Sequence, residues 1–218
     1  MSIEKYKYQG DANIGFYATI TDSYAVVPQK FDKEKLDVDT VVQTRISGTN
    51  MVGMFTAGNS ECLLLPESVK DREKKKLEDS DINYYVLDSQ ENALGNIILA
   101  NDKGALISPE IEDKKEEISE ALDVDVKVGK IADIPNPGVC GTVNSRGAII
   151  HRDASEEEAE KVKDALELQD INIGTVNTGS PYIGSGVLSS NRSLVVGGDT
   201  SGPEIGRIDR VMVEKEED

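Results

Sequence analysis

Residues 95–107 read GNIILANDKGALI: a glycine, a strand-like stretch, the turn-forming pair Asn101-Asp102 and, ten residues after the glycine, the apolar triplet Ala105-Leu106-Ile107. The same pattern stands at four further places. Ten residues after Gly15, Gly53, Gly138 and Gly184 come Ala25-Val26-Val27, Leu63-Leu64-Leu65, Ala148-Ile149-Ile150 and Leu194-Val195-Val196. Between glycine and triplet lie Thr21-Asp22-Ser23, Asn59-Ser60, Asn144-Ser145 and Ser190-Asn191, residues that accept Asx-turn or left-handed geometry, so each segment is expected to fold as a hairpin. Successive glycines are 38, 42, 43 and 46 residues apart, room for three strands and one helix.

Outward from the hairpins, most copies pass into a helical pattern. Ser155 and Glu158 form a capping box ahead of Ala159, Val162, Ala165 and Leu166. Pro66-Glu67-Ser68 leads into a charged helix to about Leu77, and Pro109-Glu110 into one ending near Leu122, with acids early in each to suit the dipole. The first copy offers only a short helix at Lys33 to Leu36, and the fifth one turn at Pro203 to Gly206. Each unit then closes on a β-rich run: Val41 to Ile46, Ile82 to Val86, Val124 to Val128, Ile171 to Val176 and Ile208 to Val213. The sum is ββαβ, five times. Such units cannot bury their sheets alone and must pack on one another. An N-terminal strand at Lys5 to Tyr8 is left to complete a ring beside the last unit, and closure removes exposed edges. The expectation is an α+β ring with fivefold pseudosymmetry, one domain over 1–213 with units at about 13–50, 51–92, 93–136, 137–181 and 182–213, then a disordered acidic tail at 214–218.

Hydrophobic residues make up 38% and charged residues 30% of 218, and no apolar run approaches the roughly 20 residues of a membrane span. The N-terminus lacks secretory and transit character, so a cytoplasmic protein is expected. Lys plus Arg is 24 against 41 Asp plus Glu, a net charge of −17. That argues against wrapping a nucleic acid duplex, whose phosphates such a surface repels, and leaves a local patch for RNA or a basic protein. Two cysteines, Cys62 and Cys140, and one histidine, His151, make no disulfide framework and no metal-ligand spacing.

The repeat alone resembles the pentein fold (α/β propeller) of arginine deiminases and amidinotransferases. With Asn13-Ile14-Gly15, Gly58-Asn59 ahead of Leu63-Leu64-Leu65-Pro66, Ala93-Leu94-Gly95-Asn96, Gly174-Thr175-Val176-Asn177 and Gly179-Ser180, the chain resembles the translation initiation factor 6 family over residues 3 to 213. The absence of a long C-terminal tail makes the archaeal form the nearer match. The resemblance implies a cytoplasmic, monomeric, cofactor-free protein that is no enzyme. It would bind the large ribosomal subunit beside the sarcin-ricin loop, mainly through a ribosomal protein there with adjacent rRNA in reach, block joining of the small subunit and serve in large-subunit biogenesis. No DNA and no membrane is implied. The family's ribosome-facing surface lies near the repeat-start glycines, which carries over to Phe16, Met54, Asn96, Val139 and Ser185 directly after them and to Tyr182 before Ile183-Gly184. Met54 departs from the family, some members of which carry a basic residue there.

Other readings stand beside this one. Pentein enzymes attack a guanidinium carbon with a Cys thiolate placed close to the C-terminus and assisted by His and carboxylates. Here the cysteines lie in the second and fourth units, and they read as small packed hydrophobes. His151 directly follows an apolar triplet and reads as a structural or surface residue. Gly184-Ser185-Gly186 lacks the third glycine of a dinucleotide loop, and the run Gly197 to Gly202 lacks the lysine of a phosphate loop. Glu110 to Glu120 and Lys70 to Lys76 read as solvated faces, with Lys74-Lys75-Lys76 in reach of rRNA. Asn96 is open between a left-handed turn and a contact.

Overall fold

The computed structural model describes residues 3–213. The chain enters through β1 (Ile3–Tyr6). The first unit has a 3-10 turn at Ile14–Phe16, then β2 (Thr19–Ile20), β3 (Tyr24–Val27), a 3-10 turn at Lys33–Lys35 and β4 (Thr40–Gln43). The second has α1 (Val52–Phe55), β5 (Ala57–Gly58), β6 (Leu63–Pro66), α2 (Asp71–Glu78) and β7 (Tyr84–Leu87). The third has α3 (Leu94–Ile97), β8 (Ile98–Ala100), β9 (Gly104–Ile107), a 3-10 stretch at Pro109–Lys114, α4 (Lys115–Leu122) and β10 (Asp125–Val128). The fourth has α5 (Pro137–Cys140), β11 (Gly141–Val143), β12 (Gly147–His151), α6 (Glu156–Ala165) and β13 (Asp170–Gly174). The fifth has α7 (Ile183–Gly186), β14 (Val187–Ser189), β15 (Leu194–Gly197) and α8 (Gly202–Met212).

These strands form five three-stranded sheets, each with an apolar-triplet strand at its centre. The central strand runs antiparallel to the one before it and parallel to the third, as in β11-β12-β13, where Ile149 pairs with Thr142 and Asn172. The triplets are continuously apolar because both faces are buried. Val26 packs with Leu63 and Leu65 of the second unit, whereas its neighbours Ala25 and Val27 pack with Leu188 and Val195 of the fifth. Likewise Leu64 joins Ile107, Ile118 and Leu122 of the third unit. Each sheet therefore contributes to the cores on both its sides.

The closing strand expected at Ile208 to Val213, and the single turn at Pro203 to Gly206, are corrected by α8. Ser201 and Glu204 form a capping box, and Ile208, Val211 and Met212 are buried at helical spacing. The third strand of the fifth sheet is instead β1, parallel to β15 with Ile3 opposite Leu194 and Tyr6 opposite Gly197. The N-terminal strand thus completes the ring two residues earlier than its expected span. The hairpin expectation is also adjusted: each repeat-start glycine sits in a one-turn helix, and the strand that follows has two or three residues. Pro66 ends β6, so α2 begins at Asp71. Ile111, with φ −125°, kinks the 3-10 stretch that precedes α4. The expected tail 214–218 lies outside the described residues.

Two contacts close the circle. A Cβ on Gly53 would overlap the carbonyl oxygen of Gly15, and the same holds for Gly95 on Gly53, Gly138 on Gly95, Gly184 on Gly138 and Gly15 on Gly184. The five glycines form an unbroken ring around a central opening of about 120 Å³. The second contact is Asn177, in the left-handed region at φ +48°. Its Nδ2 donates to the Ala12 carbonyl at 3.0 Å, and its Oδ1 accepts from Thr200 Oγ1 at 3.2 Å, so the end of the fourth unit is tied to the first and the fifth.

Candidate functional site

Each central strand runs from the polar turn towards the glycine ring, and each parallel third strand does the same, so the five one-turn helices gather at one end of the molecule. None of the residues in the windows 13–17, 51–55, 93–97, 136–140 and 182–186, each centred on a ring glycine, is charged, in a chain where 30% of residues are. The opposite end carries Asp22, Glu61, Asp102, Lys103, Arg146 and Arg192 in or next to its turns. There Asn59, Asn101 and Asn144 are buried and cross-tie neighbouring units, their Nδ2 groups donating to the carbonyls of Leu122, Leu166 and Met212 at 2.8, 3.0 and 3.0 Å. The five windows at the glycine end are free of charge, whereas the turns at the opposite end carry it.

Around the uncharged end, Phe16, Met54, Asn96 and Val139 are half-buried, one per unit. Asn96 lies in the right-handed turn of α3, its N–H donating to the Ala93 carbonyl at 2.9 Å, which removes the left-handed role. Its side-chain amide has no hydrogen-bond partner among the described residues, so both donors and its oxygen are open to a ligand. Tyr182, 45% exposed, is the most exposed of the large hydrophobic residues among the described residues. Its ring stands edge-on to His151, centroids 5.7 Å apart at 64°. His151 is itself buried, and its Nδ1 accepts the Asp153 N–H at 3.2 Å, so the sole histidine braces the tyrosine from beneath.

Ser185 is placed differently from the rest of the set. It is 3% exposed, and its hydroxyl donates to the Tyr182 carbonyl at 2.7 Å and lies 3.4 Å from Asn13 Oδ1. The side chain is too short to reach the surface from a position that Phe16 and Met54 span, and it joins the fifth unit to the first below the face. Reading only the residue after each glycine missed a second set, the N-terminal caps of the one-turn helices: Asn13, Met51, Ala93 and Asn136, equivalent to Tyr182. All four are half-buried. The charge-free windows were the signal that would have found them.

At the edge of the face Asp11 accepts from Asn13 N–H at 2.8 Å, Asn13 Nδ2 at 3.0 Å and the Tyr17 hydroxyl at 2.8 Å. Burial opposes its charge, yet these bonds hold the carboxyl below its usual range, and burial together with Asp11 pushes Tyr17 up to about 12. The carboxylate is thereby committed to orienting Tyr17. Cys140 and Cys62 are buried, and burial pushes their thiols up to about 12 and about 11. Neither is a ready thiolate. Among the described residues no cluster of His, Cys, Asp and Glu is placed to hold a metal ion, and no helix is long and apolar enough to cross a membrane.

The model of a protein family described as the eIF-6 family matches residues 3–211. Curated relatives named translation initiation factor 6 cover nearly the whole chain. That of Methanocaldococcus jannaschii is 36% identical over 94% of this chain and 95% of its own. Those of Saccharolobus islandicus and Methanosarcina mazei are 37% and 38% identical, over 98% and 91% of this chain and 100% and 93% of theirs.

Proposed function

The chain belongs to the eIF-6 family, and on that premise we propose that it binds the large ribosomal subunit through the glycine end and sterically prevents premature association with the small subunit. The observation that carries this reading is the uncharged face on a molecule of net charge −17. A surface of half-buried Phe, Met, Val and Asn with an exposed Tyr on a closed ring suits a protein partner better than bare phosphate, because it supplies apolar area and few charges. Rigidity supports it too, since a preformed face loses little conformational freedom on docking. The partner is mainly a ribosomal protein near the sarcin-ricin loop, the factor acts as a cytoplasmic monomer, and the same occupancy serves large-subunit biogenesis.

A guanidino-group hydrolase or transferase on this fold would need a reactive thiolate, and the burial of Cys62 and Cys140 favours the binding reading. Tyr182 is the expected anchor, since an exposed aromatic in a rigid setting is the usual source of interface energy. Tyr182→Ala is expected to weaken co-sedimentation with purified large subunits by about tenfold or more, on the order of 2 kcal/mol, and Asn96→Lys to weaken it further by placing a charge on the face. Unchanged co-sedimentation of both folded variants would reject this face.

A further inference from the structure

The seams between neighbouring units are not held alike. Six residues after the ring glycines stand Thr21, Asn59, Asn101, Asn144 and Ser190. The three asparagines reach into the next unit, where their buried amides donate to a carbonyl at the end of its helix. Thr21 is shorter, and the seam between the first and second units is tied instead by the buried Tyr24 hydroxyl, which donates to the Asn59 carbonyl at 2.8 Å. Each of these four seams is also roofed by a helix of its later unit: Leu77 of α2, Ile118 of α4, Val162 of α6 and Ile208 of α8 lie in the four inter-unit cores.

The seam between the fifth and first units is built differently. Ser190 is too short to cross it, and its hydroxyl turns back on its own loop, accepting the Arg192 and Ser193 N–H groups at 3.2 and 3.0 Å. Where the other units have a helix, the first has the 3-10 turn at Lys33–Lys35. What spans the turn end here is charge at the surface. Arg192 makes a two-pronged pair with Asp39, Nη1 to Oδ2 at 2.9 Å and Nη2 to Oδ1 at 3.2 Å, and Nη2 also donates to Asp37 Oδ1 at 2.8 Å. Beside it Asp22 Oδ1 accepts the Asn191 N–H at 2.6 Å, and the Asp37 N–H donates to Ser193 Oγ at 2.5 Å. Lys35 pairs with Glu4 of β1 at 3.0 Å. Ion pairs that reach across the sequence gather at this seam, whereas Lys74–Asp71, Lys130–Asp133 and Lys161–Glu157 join residues three or four apart. The side chains of Arg192, Asp37 and Asp39 are 39%, 70% and 79% exposed, so water and salt compete for every one of them. A buried amide meets no such competition.

We infer that the ring opens first at this seam, by parting at the turn end, and that Arg192 is the clasp that holds it shut. The glycine end of the same seam stays pinned by the contact of Gly15 on Gly184 and by the bond from Asn177 to Ala12. The motion is therefore a hinge about the glycine ring that separates Ala25 and Val27 from Leu188 and Val195 and leaves the charge-free windows together. The device belongs to the free chain and does not depend on what docks.

Two native cysteines and one introduced thiol test it. Cys62 lies in the core between the second and third units and Cys140 in that between the third and fourth, while Val195→Cys, close in size, puts a thiol in the core between the fifth and first. The full chain is treated with iodoacetamide under native conditions and each site is followed by mass spectrometry, so that labelling rates report how often each core opens. The Val195→Cys thiol is expected to react about tenfold faster than Cys62 and Cys140. Adding Arg192→Gln is expected to quicken it about fivefold more, the loss of two exposed pairs, with the native cysteines unchanged. Ala25→Cys, on the opposite wall of the same core, takes the place of Val195→Cys if a circular dichroism melt shows that variant unfolded. A seam thiol no faster than the native cysteines, or an Arg192→Gln effect that is absent or equal at all three sites, would overturn the inference.

Discussion

Each ring glycine occupies a place where even a methyl group would meet the backbone carbonyl of the neighbouring unit. Backbone cannot swing aside as a side chain can, so Gly95→Ala is expected to cost about 3 kcal/mol, the upper part of the range for overpacking, and to lower the melting temperature by several degrees in a calorimetric scan. Glu204 carries another exacting residue-scale role. Burial opposes its charge, but it accepts from Ser201 N–H and Oγ at 2.7 and 2.8 Å, Thr175 Oγ1 at 2.8 Å and Gly179 N–H at 2.9 Å, which hold it at about 2. A folded value below the unfolded 4.5 gives stability that is complete above about pH 4.5 and lost as pH falls towards 2, on the order of 3 kcal/mol. Acid titration followed by circular dichroism should therefore show wild type losing stability across that window and Glu204→Gln losing far less, from a lower starting point. At this scale the site was partly legible. Counting one residue past each glycine reached Phe16, Met54, Asn96 and Val139, but side-chain length decides what surfaces, and Ser185 stays beneath the face where Tyr182 emerges.

At the scale of elements, triplet strands, capping boxes and hairpin turns were legible because each rests on local chemistry. The fifth unit was misread because Ile208-Asp209-Arg210-Val211-Met212-Val213 is rich in β-branched residues, while Ile205, Ile208 and Met212 also repeat at helical spacing. The Ser201-Glu204 capping box, the same signal that identified α6 at Ser155 and Glu158, decides between them. What no local pattern supplies is the origin of the missing strand, since β1 lies at the far end of the chain. Deleting Ile3 to Tyr6 leaves the β15 edge unpaired next to a buried core. The expected outcome is a lower, broader melting transition and concentration-dependent self-association by light scattering, the usual fate of an exposed apolar edge. A monodisperse monomer with an unchanged melt would mean that β14-β15 is stable without its partner.

Across the whole molecule, five repeats of the same contacts produce two unlike ends. Buried amides cross-tie the units at the turn end, while at the glycine end the windows around the ring are cleared of charge and held rigid by it. Ring closure was legible as a physical necessity for units that cannot bury their own sheets; the identity of the face followed only once the topology had gathered five distant windows at one end. The central claim is that this end occupies the large subunit's joining surface. Sucrose-gradient sedimentation of both ribosomal subunits, at magnesium that favours joining, tests it directly. The account predicts that the protein travels with the large subunit and that the joined peak falls as it is added, with Tyr182→Ala shifting the effect to higher concentration. A protein that remains at the top of the gradient, with the joined peak unchanged, would contradict it.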